Sequence, residues 1–194
     1  MNESALEETK ITFFATVPGF RDSNYSFIWT HNGNLLKESE DLKHSIANSE
    51  NQGSIGQSIL SIHNLKISDS GTYDCKVSSE YGYAHRIFNL NVKKRTRITN
   101  APQNIDMIAG GNAMFNCSAN NDDSLNFKWL KDGLPIQSED RFNFSQNLLI
   151  INNVTKQDSG SYTCVVESDL DWDEASATLF VQGNKKIIKA LVYL

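Results

Sequence analysis

The sequence has only three cysteines in 194 residues, so at least one thiol stays outside any intramolecular bridge. Clustered histidines are missing too. His31, His44, His63 and His85 are dispersed, with no metal-ligand spacing and no partnered nucleophile. That pattern argues against an enzyme, a small-molecule substrate or a cofactor. No segment supplies the roughly 18 apolar residues of a membrane-spanning helix. Met1 is followed by the polar run Asn-Glu-Ser, not by a signal-peptide core. The expectation is an excised piece of a larger protein or a chain whose export signal has been removed. Membrane attachment would then lie in parts of the protein outside this chain. Positive charge is also scarce. Over 1–94 there are nine basic and eleven acidic side chains, over 95–182 six and twelve, and three lysines follow, for a net −5. This balance speaks against nucleic acid as a partner. The one basic run, Lys93, Lys94, Arg95 and Arg97, reads as a solvated linker face or as a polyanion contact.

What the chain does contain is a repeat. Asp-Ser-Gly-x-Tyr-x-Cys runs from Asp69 to Cys75 and again from Asp158 to Cys164, each after a lone tryptophan, Trp29 or Trp129. A hydrophobic fraction of 39% fills two small cores, and the length suits two domains of roughly 90–100 residues. The expected division is 1–94, 95–182 and a tail, 183–194. The apolar end of that tail, Ile187 to Leu194, is too short to cross a bilayer and reads as a truncated or unpaired end. In the second copy, apolar residues alternate around Phe115, Trp129, Leu149, Tyr162 and Leu179, with polar turns between them. Period-two alternation broken every 8–12 residues or so predicts an all-β sandwich.

The spacing of Cys117, Trp129 and Cys164, with Tyr162 two residues before the last cysteine, resembles the signature of an immunoglobulin domain. The resemblance implies two tandem immunoglobulin-like (I-set) β-sandwiches. In the second it implies a Cys117–Cys164 bridge, Trp129 packed against it, a tyrosine corner at Tyr162, and an Asp158 ion pair for which Arg141 is the candidate. A bridge closing a 47-residue loop contributes about 4 kcal/mol by loop entropy. In the first copy Trp29, Tyr73 and Cys75 take the same places, but Ala15 stands where the other cysteine would be. Cys75 therefore has two readings, a buried thiol packed against Trp29 or an intermolecular pairing. Segment 37–58 is long and polar, so irregular middle strands are expected there. The chain also begins at about the second half of the first strand. The junction near Thr96 has few residues and no glycine, which predicts restricted bending.

Five Asn-x-Ser/Thr sequons occur, at Asn2, Asn24, Asn116, Asn143 and Asn153. Asn24, Asn143 and Asn153 sit near predicted turns and are the glycosylation candidates. Asn116 is set aside because its middle residue, Cys117, belongs to a core strand. With the implied bridge, the sequons place the chain outside the cell, at the surface or secreted. Asp169, Asp171, Asp173 and Glu174 make a carboxylate-rich hairpin without the central glycine or distal glutamate of a calcium loop. Its default reading is a solvated acidic turn. Trp172 within it cannot serve the core and is a candidate contact residue.

A closer resemblance rests on Thr96-Arg97-Ile98 with Ala101-Pro102, on Ala119-Asn120-Asn121-Asp122, and on the ending Ala177, Leu179, Val181-Gln182-Gly183. These resemble the sixth immunoglobulin domain of neural cell-adhesion molecules of the neuroglian/neurofascin and contactin type. Tyr81-Gly82-x-Ala84 in the first copy fits the fifth. The first four domains of that family make the homophilic contact, so the resemblance implies a membrane-proximal spacer pair with an accessory surface. Its partners would be other cell-surface proteins, homophilic or heterophilic. Other readings are a signalling-receptor ectodomain, a secreted hemolin-like immune factor, and a cytosolic muscle-type domain pair.

Overall fold

A computed structural model describes residues 1–18, 25–37, 43–50, 55–120, 125–137, 141–145 and 147–183. The chain divides into two compact units, 1–95 and 96–194. Asn24 and residues 184–194 of the tail lie outside the described residues.

The first unit contains β1 (Asn2–Leu6), β2 (Ile11–Pro18), β3 (Ser26–His31), β4 (Asn34–Leu35), β5 (His44–Glu50), β6 (Ile55–Ile62), β7 (Gly71–Ser79) and β8 (Gly82–Lys93). One sheet runs β1-β8-β7-β3-β4 and the other β2-β6-β5, with β1 parallel to β8. Within the polar segment expected to be irregular, the described residues His44–Glu50 and those from Ile55 onward are regular strand. From His44↔Ile62 to Glu50↔Gly56, β5 pairs with β6 without a break in register. Its alternation is hard to read because the pair Ile46 and Leu60 is followed along the same face by a polar pair, the exposed Asn48 opposite the buried Ser58.

The second unit repeats the plan. It contains β9 (Ile98–Asn100), β10 (Ile105–Ile108), β11 (Ala113–Asn116), β12 (Ser118–Ala119), β13 (Asn126–Lys131), β14 (Leu134–Pro135), β15 (Phe142–Ser145), β16 (Leu148–Ile151), β17 (Gly160–Glu167) and β18 (Trp172–Gln182). Its sheets are β10-β18-β17-β13-β14 and β11-β16-β15, while β9 pairs with β12. Pro102 has no amide hydrogen to offer a ladder, and it falls between β9 and β10 where the first strand changes partner.

The repeated heptapeptide ties each sandwich shut, residue by residue. A carboxylate oxygen of Asp69 accepts the Lys66 amide at 2.7 Å, and Asp158 does the same for Thr155, each closing a 3-10 turn. Ser70 and Ser159 accept the amides of Val92 and Val181 at 2.9 Å, fixing the last strand. Glycine follows because its φ is +143° at Gly71 and +157° at Gly160. A Cβ there would lie 2.4 Å from Asn32 Oδ1 in the first copy and 2.6 Å from Asp132 Oδ2 in the second. Those turn side chains accept the next amide, from Thr72 and Ser161. Tyr73 and Tyr162 then donate their hydroxyls at 2.8 Å to the carbonyls of Asp69 and Asp158. The last residue, Cys75 or Cys164, reaches the core.

Candidate interaction surfaces

Among the described residues, the interiors of the two sandwiches are filled by packed apolar side chains. Cys117 and Cys164 form a disulfide, and both are fully buried. Phe115 stacks on Tyr162 at 4.9 Å and lies 6.1 Å from Trp129. In the first unit Cys75 is a free, buried thiol. Burial, and then the nearby Asp74 charge, push its pKa up to about 12. A thiol held neutral is a poor nucleophile, so native protein at neutral pH is expected to resist alkylation at Cys75 and to react only on unfolding. Iodoacetamide labelling followed by peptide mapping checks this; rapid native labelling would refute it.

Two residues that the sequence did not flag fill the place of the missing bridge. Trp29 Nε1 donates to Ser58 Oγ at 2.8 Å, and Ser58 in turn donates to Asn48 Oδ1 at 2.6 Å. Trp129 Nε1 is buried without a hydrogen-bond partner among the described residues. The signal available was Ser58, which lies opposite Ala15 in the β2–β6 register. The second addition is Phe88, stacked 4.7 Å from Phe13 and 5.8 Å from Trp29. Counting from each cysteine through the β7–β8 and β17–β18 registers, Phe88 stands where the second unit has Ala177.

Arg141 makes a bidentate pair with Asp158, Nη1 to Oδ2 at 3.0 Å and Nη2 to Oδ1 at 3.2 Å. Lys43 takes that role in the first unit, 2.6 Å from Asp69, and was not singled out because it lies 26 residues upstream where Arg141 lies 17. Burial alone would raise the Asp158 carboxyl. The Arg141 and Thr155 hydrogen bonds outweigh it and hold the group below its ordinary value. A depressed carboxylate stabilises the fold above its unfolded pKa, and that contribution is lost as pH falls through the lower folded value. Arg141→Met leaves the buried carboxylate with its Thr155 donors only. The expected cost at neutral pH is about 2–3 kcal/mol, below the full buried-pair penalty because the Arg141 side chain is 38% exposed. The acid limb of the second domain's unfolding curve should move to higher pH, which chemical denaturation across acid pH measures.

The outward faces differ more than the cores. On the first unit, Ile28, Lys76 and His85 form one row across β3, β7 and β8, and Leu35, Thr30, Asp74 and Ile87 form the next from β4. Ile28, Leu35 and Ile87 are 42%, 58% and 51% exposed, and Tyr83 stands beside them at 72%. The Lys76 ammonium sits 4.8 Å from the Tyr83 ring, and His85 Nδ1 lies 2.8 Å from Asp74 Oδ2. The matching rows of the second unit carry Lys128, Val165 and Glu174, then Leu130, Thr163 and Ser176. Trp172 occupies the position of Tyr83 and is likewise exposed. The acidic hairpin around it does structural work: Asp173 Oδ2 accepts the Ile98 amide at 2.8 Å, and the Asp171 carbonyl accepts the Ser168 amide. Among the described residues no group of three His, Cys, Asp or Glu could hold a metal ion. Asn143 and Asn153 are exposed, and so are Asn2 and Asn116.

Comparison with family models matches the immunoglobulin I-set domain over residues 2–92 and again over 96–181. Neuroglian of Drosophila melanogaster is 39% identical over 128 residues, covering 63% of this chain and 10% of neuroglian. Contactin-1 of Gallus gallus is 34% identical over 134 residues, covering 64% of this chain and 13% of that protein. The chain thus spans about a tenth of the length of these relatives. An I-band fragment of titin superposes with a TM-score of 0.71 at 20% identity, covering 94% of this chain and 63% of the fragment, a likeness of fold alone. With the same domain matched twice across nearly its whole length, the chain belongs to the immunoglobulin I-set family, as two domains in tandem.

Proposed function

We propose that the chain is an extracellular cell-adhesion and recognition module that works by surface complementarity. Within that reading it is the membrane-proximal spacer pair, the fifth and sixth immunoglobulin domains, of a neural cell-adhesion molecule at the cell surface. The observation that carries the reading is the combination of similarity to neuroglian and contactin-1 with a buried disulfide, a bond that persists in oxidising compartments. Among the described residues no helix is long and apolar enough to cross a membrane. The accessory surface is the Ile28, Leu35, Ile87 and Tyr83 face of the first domain, with Trp172 as the matching contact on the second. Neither copy has these side chains in its core, and an exposed apolar cluster with aromatic residues suits a protein partner. The test is sedimentation of the two-domain chain across micromolar concentrations. A monomer throughout is expected of a spacer with a heterophilic accessory face. Concentration-dependent dimers abolished by Ile87→Asp would overturn the spacer role in favour of homophilic contact.

A further inference from the structure

We propose that the second domain carries N-linked glycans at Asn143 and Asn116 that roof one apolar face of its smaller sheet; this rests on the extracellular reading. On that face Met114, Ile150 and Asn143 form one row across β11, β16 and β15, and Asn116, Leu148 and Ser145 form the next. Side chains opposite one another in an antiparallel ladder share a face, so the two acceptor asparagines stand at opposite corners of a patch whose other members are Met114, Ile150 and Leu148. From strand spacing and rise, those corners are about 12 Å apart. Met114 is 59% exposed, and Ile150 and Leu148 are half-buried. Bare, the strip is an apolar patch bounded by the β15 edge, the kind of feature that invites strand pairing with another chain.

Asn116 qualifies because Cys117 is buried. Alternate strand residues point to opposite faces, so the burial of Cys117 turns Asn116 outward. Its Oδ1 accepts from Asn147 Nδ2 at 3.3 Å, which leaves its own amide nitrogen as the group to be modified. In the transfer, each Asn Nδ2 attacks the anomeric carbon of a lipid-diphosphate-linked oligosaccharide. The N–C bond forms, the C–O bond to the diphosphate breaks, the lipid diphosphate leaves, and one amide proton passes to a base. The corresponding face of the first domain is an internal contrast. Its rows, Thr12–Ser61–Ser45 and Phe14–Ile59–Ala47, hold no sequon, and their apolar members, Phe14 among them, stand without a candidate glycan.

The test is secretion of the full chain behind an export leader, followed by enzymatic deglycosylation and peptide mapping, in which each occupied asparagine is converted to aspartate. Occupancy of Asn143 and Asn116 is expected, with Ser145→Ala and Ser118→Ala each removing one glycan. Deglycosylation should then raise apolar-dye binding or self-association several-fold, and Met114→Ser with Ile150→Thr should cancel that rise. A closed Cys117–Cys164 bridge with both asparagines unmodified would overturn the proposal and leave the extracellular reading standing. Occupied asparagines with no change on deglycosylation would overturn the shielding role. Reduced Cys117 and Cys164 in protein recovered from its natural source would overturn the extracellular reading and the proposal with it.

Discussion

Replacing Cys117 and Cys164 together by alanine is expected to lower the stability of the second domain by about 4 kcal/mol and to leave the first unchanged. The bridge closes a loop of 47 residues, and the chain-entropy cost of releasing it is of that size. Domains of this length are stable by only about 5–15 kcal/mol, so the loss takes the second domain close to its limit. At roughly 4–8 °C per kcal/mol for a domain of under 100 residues, its midpoint should fall by at least about 15 °C. The variant is preferable to a reductant, because both sulfurs are buried in the native state. Calorimetry of the chain should show one transition displaced and one fixed, since the first domain has only the free Cys75. Equal displacement of both transitions would mean that the two sandwiches do not unfold independently.

The second sandwich was the more legible because its constraints are local in sequence and made of distinctive residue types. Cys117, Trp129, Tyr162 and Cys164 announce their roles, and Arg141 met Asp158 as the pattern required. The repeated heptapeptide was visible as a repeat. Its reason was not, because Gly71 and Gly160 are fixed by turn side chains roughly 30–40 residues upstream, Asn32 and Asp132. The middle of the first domain was obscure for a different reason. Its strands bury Ser58 in a hydrogen bond with Trp29 and let it donate to the exposed Asn48, and composition alone reads such residues as loop. At Asn116 the sequon alone does not show that the side chain faces out while its neighbour Cys117 faces the core. The apolar face around Ile87 was invisible because it depends on register: only the pairing Asp74↔Ile87 and Lys76↔His85 sets those side chains beside Ile28 and Leu35.

The first domain holds together without a bridge because a ring does part of the bridge's packing. Phe88 is 3% exposed and lies against both Phe13 and Trp29, while Ala177 at the same position faces the disulfide-containing core. Phe88→Ala is therefore expected to cost about 3–5 kcal/mol, the range for deleting a buried aromatic side chain with incomplete collapse around the void. Ala177→Gly removes much less volume and should cost far less. Adding Ala15→Cys to Phe88→Ala converts the first core to the plan of the second. Ala15 corresponds to Cys117, since Phe13 and Phe115 precede them by two and pair with Leu60 and Leu149. A bridge from position 15 to Cys75 closes a loop of about 60 residues and contributes roughly 4 kcal/mol, enough to offset most of the lost ring. In the wild-type background the same Ala15→Cys change meets Phe88 already filling the space, and overpacking of about 1–3 kcal/mol should consume much of the gain. The two substitutions are thus expected to be non-additive, with the bridge worth more when the ring is absent. Denaturant unfolding of the four chains in the cycle, with thiol titration to confirm the new bridge, measures that coupling. An additive cycle would mean that Phe88 and the bridge do not compete for the same volume, and that the first domain offsets its missing cysteine through the Trp29–Ser58–Asn48 chain alone.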